Sequence, residues 1–152
     1  MKRILDFINL ASLSLLFLIF VSCKKELTLG WNVEGVEWSV VNNYSPDNIK
    51  VTIIGDGHCI ISADDKGGAV KIETPNLSSY SINFYDYEDN LIMSKPSGES
   101  FSLDYDWCNL NIEEDILSID FPEIMELQKT NVLYIYVNGI FKAGAVRITR
   151  TN

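Results

Sequence analysis

The sequence predicts an all-β protein, an antiparallel sandwich or barrel without βαβ units. Three observations carry this. Apolar residues recur with a period of two over most of the chain, the spacing of a strand with one face on a core. The segments showing it are rich in Val, Ile, Tyr, Phe and Thr, which suit a pleated surface. Between them stand compact turn sequences: "SPDN" (45–48), "GDG" (55–57), "DDKGG" (64–68), "EDN" (88–90), "SKPSGE" (94–99) and "NG" (138–139).

In chain order the strand segments are 31–41, 49–54, 59–63, 69–74, 80–85, 100–107, 116–121, 132–137 and 145–150. "AVKIET" shows the alternation, with Val70, Ile72 and Thr74 on one face and Lys71 and Glu73 on the other. "VLYIYV" (132–137) is apolar on both faces and is read as a central strand covered on both sides. The helix candidate is "PEIMELQK" (122–129), long enough for a turn or two between strands. No internal repeat or low-complexity segment interrupts the pattern.

The beginning of the chain reads differently. Lys2 and Arg3 precede an apolar run from Leu10 to Val21, which ends at Ser22 and Cys23. A basic start, a short apolar stretch and small residues make a secretory signal. The run falls short of the roughly 18–20 residues a membrane-spanning helix needs. "FVSC" resembles the lipobox of bacterial lipoproteins, with Phe20 where that pattern usually has leucine. The resemblance implies lipidation of Cys23, a signal peptide over 1–22 and a lipidated tether over 23–30, and the length that remains suits one domain over 31–152. It also implies a cell-envelope location, an outer-membrane lipoprotein held by acyl chains that bind far more firmly than one myristoyl chain. "KKE" after Cys23 leaves both the periplasmic and the surface face open. Without residues 1–22 the 12 basic and 21 acidic side chains become 10 and 20, a net charge of −10. That acidity disfavours nucleic acid and keeps a tethered domain soluble.

Between about residues 60 and 150 the order of features resembles the BACON family of Bacteroidota. "IISADDKGGAVKIET" supplies a strand, a Gly-Gly turn and a second strand, and "SYSINFY" an aromatic-bearing strand. "DYDWCNLNIEEDILSIDF" places Trp107 before a strand pair, "KTNVLYIYV" leads into a long strand, and "GAVRITR" closes the module. Arg150 stands near where that family frequently has glutamine. The resemblance implies an immunoglobulin-like β-sandwich of about seven to nine strands. It also implies carbohydrate as the first ligand class to test, with residues 31–54 as additional strands.

The chemistry-bearing residues point to binding. Cys59 and Cys108, 48 residues apart between them, are either a disulfide or two buried thiols. His58, the single histidine, neighbours Cys59, but adjacent strand residues point to opposite faces, so no nucleophile–base pair forms there. The cysteine and histidine spacing does not match a zinc site. The acidic turns lack the alternating ligands of a calcium loop. No catalytic constellation, metal or cofactor is therefore assigned, and the chain is read as a non-enzyme. A sugar face stacks on Trp and Tyr while Asp, Asn or Glu bind its hydroxyls. Trp31, Trp38, Tyr85, Tyr87 and Trp107 are the aromatic candidates, with Trp107 favoured as core. "FYDYEDN" combines both chemistries and places the candidate site at Tyr85, Asp86, Tyr87, Asp89 and Asn90. The alternative is a structural spacer or protein-interaction subunit of an envelope complex, which calls for an apolar patch or an open edge strand.

Overall fold

The structure, a computed structural model, describes residues 33–124 and 131–151. The segment 1–22, the tether 23–30 with Cys23, Trp31 and most of the helix candidate 122–129 lie outside the described residues. Among the described residues the protein is an all-β sandwich, relieved only by a single 3₁₀ turn at Leu77–Ser79.

The strands are β1 (Glu34–Gly35), β2 (Ser39–Asn43), β3 (Ile49–Ile54), β4 (His58–Ala63), β5 (Gly68–Glu73) and β6 (Ser81–Tyr85). They continue as β7 (Leu91–Lys95), β8 (Phe101–Asp104), β9 (Asn109–Glu113), β10 (Ile116–Phe121), β11 (Asn131–Asn138) and β12 (Lys142–Arg150). One sheet runs β3-β4-β12-β11-β6-β7, with β1 also on β12, and the other runs β2-β5-β10-β9-β8. The triplets β5-β10-β9 and β6-β11-β12 correspond to the B-E-D and C-F-G triplets of an immunoglobulin-like sandwich.

Twelve strands stand where about seven to nine were expected. The segment 31–41 divides into β1 and β2, because Val36 and Trp38 turn into the core between them. β7 is short, and its exposed Leu91, Ile92 and Met93 give it no alternation to read. β9 does alternate, with Leu110 and Ile112 inward, but lies hidden among Asn and Asp residues. The sheet is also not wholly antiparallel. β1 and β4 join the same edge of β12 end to end, both parallel to it. Such pairs join segments far apart in the chain, and no hairpin marks them in sequence.

The period-two reading holds on β5, where Val70, Ile72 and Thr74 are buried and Lys71 and Glu73 are not. On β11, Leu133, Ile135 and Val137 face the core, whereas Tyr136 is exposed on the outer surface. The strand is central in its sheet but covered on one face only, which corrects the doubly covered reading. Tyr85 packs edge-on against Tyr136, centroids 5.4 Å apart at 80°, and half-covers that outer face. Inside, Phe84 from one sheet stacks on Phe101 from the other at 4.7 Å and 16°. Burying a Phe of this kind stabilises by about 1.5–3 kcal/mol relative to leaving it in water.

Each end of the sandwich is closed by a buried cation. Arg150, at the end of β12, is fully buried. Its Nε donates to the Asp64 carbonyl (3.0 Å), its Nη1 to that of Trp107 (2.7 Å), and its Nη2 to those of Asp65 (3.0 Å) and Pro122. At the other end, Lys95 is 1% exposed, and its Nζ donates to the carbonyls of Ser78 (3.0 Å), Tyr80 (3.4 Å) and Pro96 (2.9 Å). Burial lowers the pKa of both groups, opposed at Lys95 by Glu99 and at Arg150 by Cys108 and then Asp64 and Asp65. Backbone dipoles replace the water each cation gives up, which is what lets a charge sit inside.

Candidate functional site

The segment "FYDYEDN" is the β6–β7 turn, and its polar groups are organised around Asp86. Asp86 Oδ1 accepts from the backbone N–H of Glu88 and of Asn90, both at 2.9 Å. Asn90 Nδ2 donates to Asp86 Oδ2 at 3.0 Å. These bonds, the Asn90 side chain first, hold the Asp86 pKa below its ordinary value. Asp89 takes up the left-handed conformation the turn requires, φ 62°, which Asp and Asn tolerate better than most residues. The Tyr87 hydroxyl donates to Glu88 Oε1 at 2.7 Å, and that bond together with the Glu88 charge raises the phenol's pKa.

Tyr85 and Tyr87, two residues apart, would share a face on a continuous strand, but the structure separates them. A register shift between Phe84 and Tyr85 breaks the β6–β7 ladder, and the chain then turns. Tyr85 goes to Tyr136 on the sheet's outer face. Tyr87, 64% exposed, instead meets the loop that joins β8 to β9. There a small cavity of about 130 Å³ is lined by Asp86, Tyr87, Tyr105, Trp107 and Asn131, with Ile92 and the start of β11. Tyr85, Asp89 and Asn90 are not part of its wall; Asp89 and Asn90 serve the turn.

Tyr105 and Trp107 stack at 6.0 Å and 22°. Both pack partly against the core, so Trp107 is neither fully core nor a free platform. The Tyr105 hydroxyl oxygen is buried and has no hydrogen-bond partner among the described residues. Burial, then the neighbouring Cys108 and Asp86, raises its pKa, so it is a neutral donor at physiological pH. A buried hydroxyl left unsatisfied costs about 1–3 kcal/mol. Tyr105 and Asn131 are polar members of this wall that were not among the sequence candidates. Tyr105 alternates with Leu103 in an inward-facing series, and nothing local distinguished it from a core residue.

The other candidates fall elsewhere. Trp38 is buried, with Nε1 donating to the Gly57 carbonyl at 2.7 Å, so it is a core residue. Gly57 takes φ +80° in the β3–β4 turn, close under the Ala143 carbonyl, and both demands exclude a side chain.

Cys59 and Cys108 are free thiols, both buried, and the disulfide reading is corrected to that extent. They sit on different sheets and at different heights. Cys59 is level with Val146, while the residue before Cys108 is held by Arg150, four residues and roughly 13 Å further along β12. A bridge needs Cα atoms within about 7 Å. Burial pushes the Cys59 thiol up to about 11 and that of Cys108 to about 12. A nucleophilic cysteine needs the opposite shift. His58 points to solvent while Cys59 points to the core, as adjacent strand residues must. Among the described residues no group of three or more His, Cys, Asp or Glu is placed to hold a metal ion.

No protein-family model and no curated protein matches the chain. Among solved structures it is similar to a protein from Bacteroides thetaiotaomicron determined by NMR, with 15% identity and a TM-score of 0.49. That likeness covers 77% of this chain and 86% of the other. It is also similar to titin M4, with 2% identity and a TM-score of 0.40, over 77% of this chain and 95% of that one.

Proposed function

We propose that the protein is a non-catalytic binding module of the cell envelope, anchored through Cys23, that takes a carbohydrate at the Tyr87–Tyr105–Trp107 cavity. The observation that carries this reading is the company the Tyr105 hydroxyl keeps. Its own ring stacks on Trp107, the exposed ring of Tyr87 lines the same cavity, and Asp86 and Asn131 supply polar groups at the rim. A sugar offers what this lining lacks, C–H faces for the rings and hydroxyls for an unsatisfied phenol. At about 130 Å³ the cavity is smaller than the roughly 300–1,000 Å³ typical of drug-sized ligands, and it suits one ring. Affinity is then about 0.1–1 mM, or roughly −4 to −5.5 kcal/mol. Many copies on one membrane compensate through avidity.

An NMR titration with plant and host oligosaccharides tests the site. Resonances of residues 86–87 and 105–107 shift on binding, and Tyr105→Phe weakens it without lowering stability. If no oligosaccharide moves those resonances at millimolar concentration, the carbohydrate reading fails.

A protein-interaction role has its own support. β7 is an edge strand, and three consecutive residues, Leu91, Ile92 and Met93, are exposed along it. An unpaired apolar edge is a surface to which another chain's strand can add. Pull-down with this edge intact, and its loss in Leu91→Lys, which lies outside the cavity wall, favours that reading over a sugar.

A further inference from the structure

The β11–β12 hairpin ends in the most exposed large apolar side chain among the described residues. Ile140 is 82% exposed and Phe141 60%. Val33, itself half exposed, stands beside them, because the Glu34 N–H donates to the Phe141 carbonyl at 2.9 Å. Gly139 lays the turn flat over the Tyr80 ring, where any side chain would collide. An open groove of about 690 Å³ follows, edged by Ser79, Ser81, Ser97 and Lys142. The tip is therefore an apolar point with a hydroxyl-bearing collar and one lysine.

Its position in the fold matters as much as its composition. β1 pairs with Lys142 and Ala143, so the chain enters the sandwich at this tip. The aromatic cavity is at the opposite end, where Asn131 pairs with Arg150, about 27 Å away along β12. Between Cys23 and Val33 lie nine residues, which span at most about 35 Å when fully extended.

We infer that Ile140, Phe141 and Val33 rest in the surface of the lipid bilayer to which Cys23 is attached, with the aromatic cavity facing away from it. The inference rests on the proposal that Cys23 is lipidated. A short covalent tether joins the sandwich at the end bearing these side chains, so the membrane is the surface they meet at the highest local concentration. Apolar side chains on an amphipathic element settle at the headgroup–acyl boundary, and Lys142 faces anionic head groups there. A second copy of the chain fits less well. A stable interface buries about 800 Å² per partner, and three side chains ringed by serines supply much less.

The test uses the full-length, lipid-bearing protein in phosphatidylethanolamine–phosphatidylglycerol vesicles containing lipid brominated on its acyl chains. Phe141→Trp adds an emitter at the tip, and Asp106→Trp adds one at the far end. Both are read as difference spectra against the wild type. Bromine quenches the added emission at position 141 and leaves that at 106 unchanged. Adding Ile140→Asp to Phe141→Trp lifts the tip and restores the emission. Vesicle-bound protein whose emission at 141 ignores bromine overturns the tip contact and leaves the anchor standing. Emission at 141 that follows protein dilution and ignores bromine assigns the tip to a second copy, which also overturns it. If wild type and Cys23→Ser partition equally onto vesicles, the anchoring proposal itself fails.

Discussion

The two ends of the sandwich are closed by the same device and finished in opposite chemistry. At each end a buried cation donates to backbone carbonyls from several segments. Arg150 gathers carbonyls from residues 64, 65, 107 and 122, segments of both sheets separated by up to 86 positions from it. Lys95 gathers those of residues 78, 80 and 96, all within 17 positions. The planar fork of Arg serves divergent acceptors that the compact ammonium of Lys cannot reach together. Outside the Arg150 clamp the loops are polar and hold an aromatic cavity. Outside the Lys95 clamp the hairpin tip exposes Ile140 and much of Phe141. Beyond similar closures the two ends thus differ in surface, one carrying an aromatic cavity and the other an exposed apolar tip.

The contrast is sharpest at Arg150. Replacing it with Met removes the four side-chain hydrogen bonds that tie the loops at 64–65, 107 and 122 to β12, and stability falls by about 3–5 kcal/mol. Arg150→Lys recovers little of this, because one ammonium cannot satisfy carbonyls spread over three segments. Chemical denaturation of both variants reads the difference; a Lys variant as stable as wild type breaks the comparison.

Alkaline pH probes both ends at once, since Cys59 lies toward the Lys95 end and Cys108 at the Arg150 end. Their folded pKa values, about 11 and about 12, exceed the ordinary value of 9.0. The folded chain therefore keeps protons that the unfolded chain releases, and stability that is whole below pH 9 is lost as pH rises toward those values. Each thiol contributes about 1.4 kcal/mol per pH unit in that window. Between pH 9 and 10, where the unfolded thiols go from half to mostly ionised, the wild type loses about 2 kcal/mol, and Cys108→Ala halves the loss. Denaturation curves at the two pH values supply the check. An unchanged midpoint shows that the thiols do not titrate as free groups.

Lys95→Met is expected to cost less than the Arg150 change, about 1–3 kcal/mol, because its acceptors are local and fewer. Equal losses at the two ends, measured in the same denaturant, remove the distinction between long-range and local closure.

The smallest stability effect belongs to Tyr87. It is mostly exposed, so Tyr87→Ala changes stability by no more than about 0.5 kcal/mol, within the range of ordinary surface substitutions. The same variant loses the oligosaccharide-induced shifts at residues 105–107. A melting temperature that falls sharply while binding survives reverses the assignment of this residue.

The sequence by itself determined whatever depends on neighbours one or two residues away. The alternation of Val70 and Ile72 with Lys71 and Glu73, the Gly55-Asp56-Gly57 turn and the Asp86–Asn90 turn are all local, so the sandwich and most of its strands were legible. Tyr87 was legible too, since carboxylates on either side keep a ring in water. Tertiary structure decided the rest. β7 offered no alternation, and the parallel seats of β1 and β4 on β12 leave no mark in the chain. The separation of Tyr85 from Tyr87 arises from a register shift that parity counting cannot foresee. Trp38 is set apart from an exposed tryptophan by core packing and by the Gly57 carbonyl, 19 residues away in sequence. Arg150 read as a departure from a pattern until its four carbonyl partners were seen. Tyr105 read as one more inward aromatic until the loop that carries it met Asp86 from the other sheet. The physical reason is common to these cases: a buried polar group takes its meaning from its hydrogen-bond partners, and here those partners come from segments that only the packing of two sheets brings together.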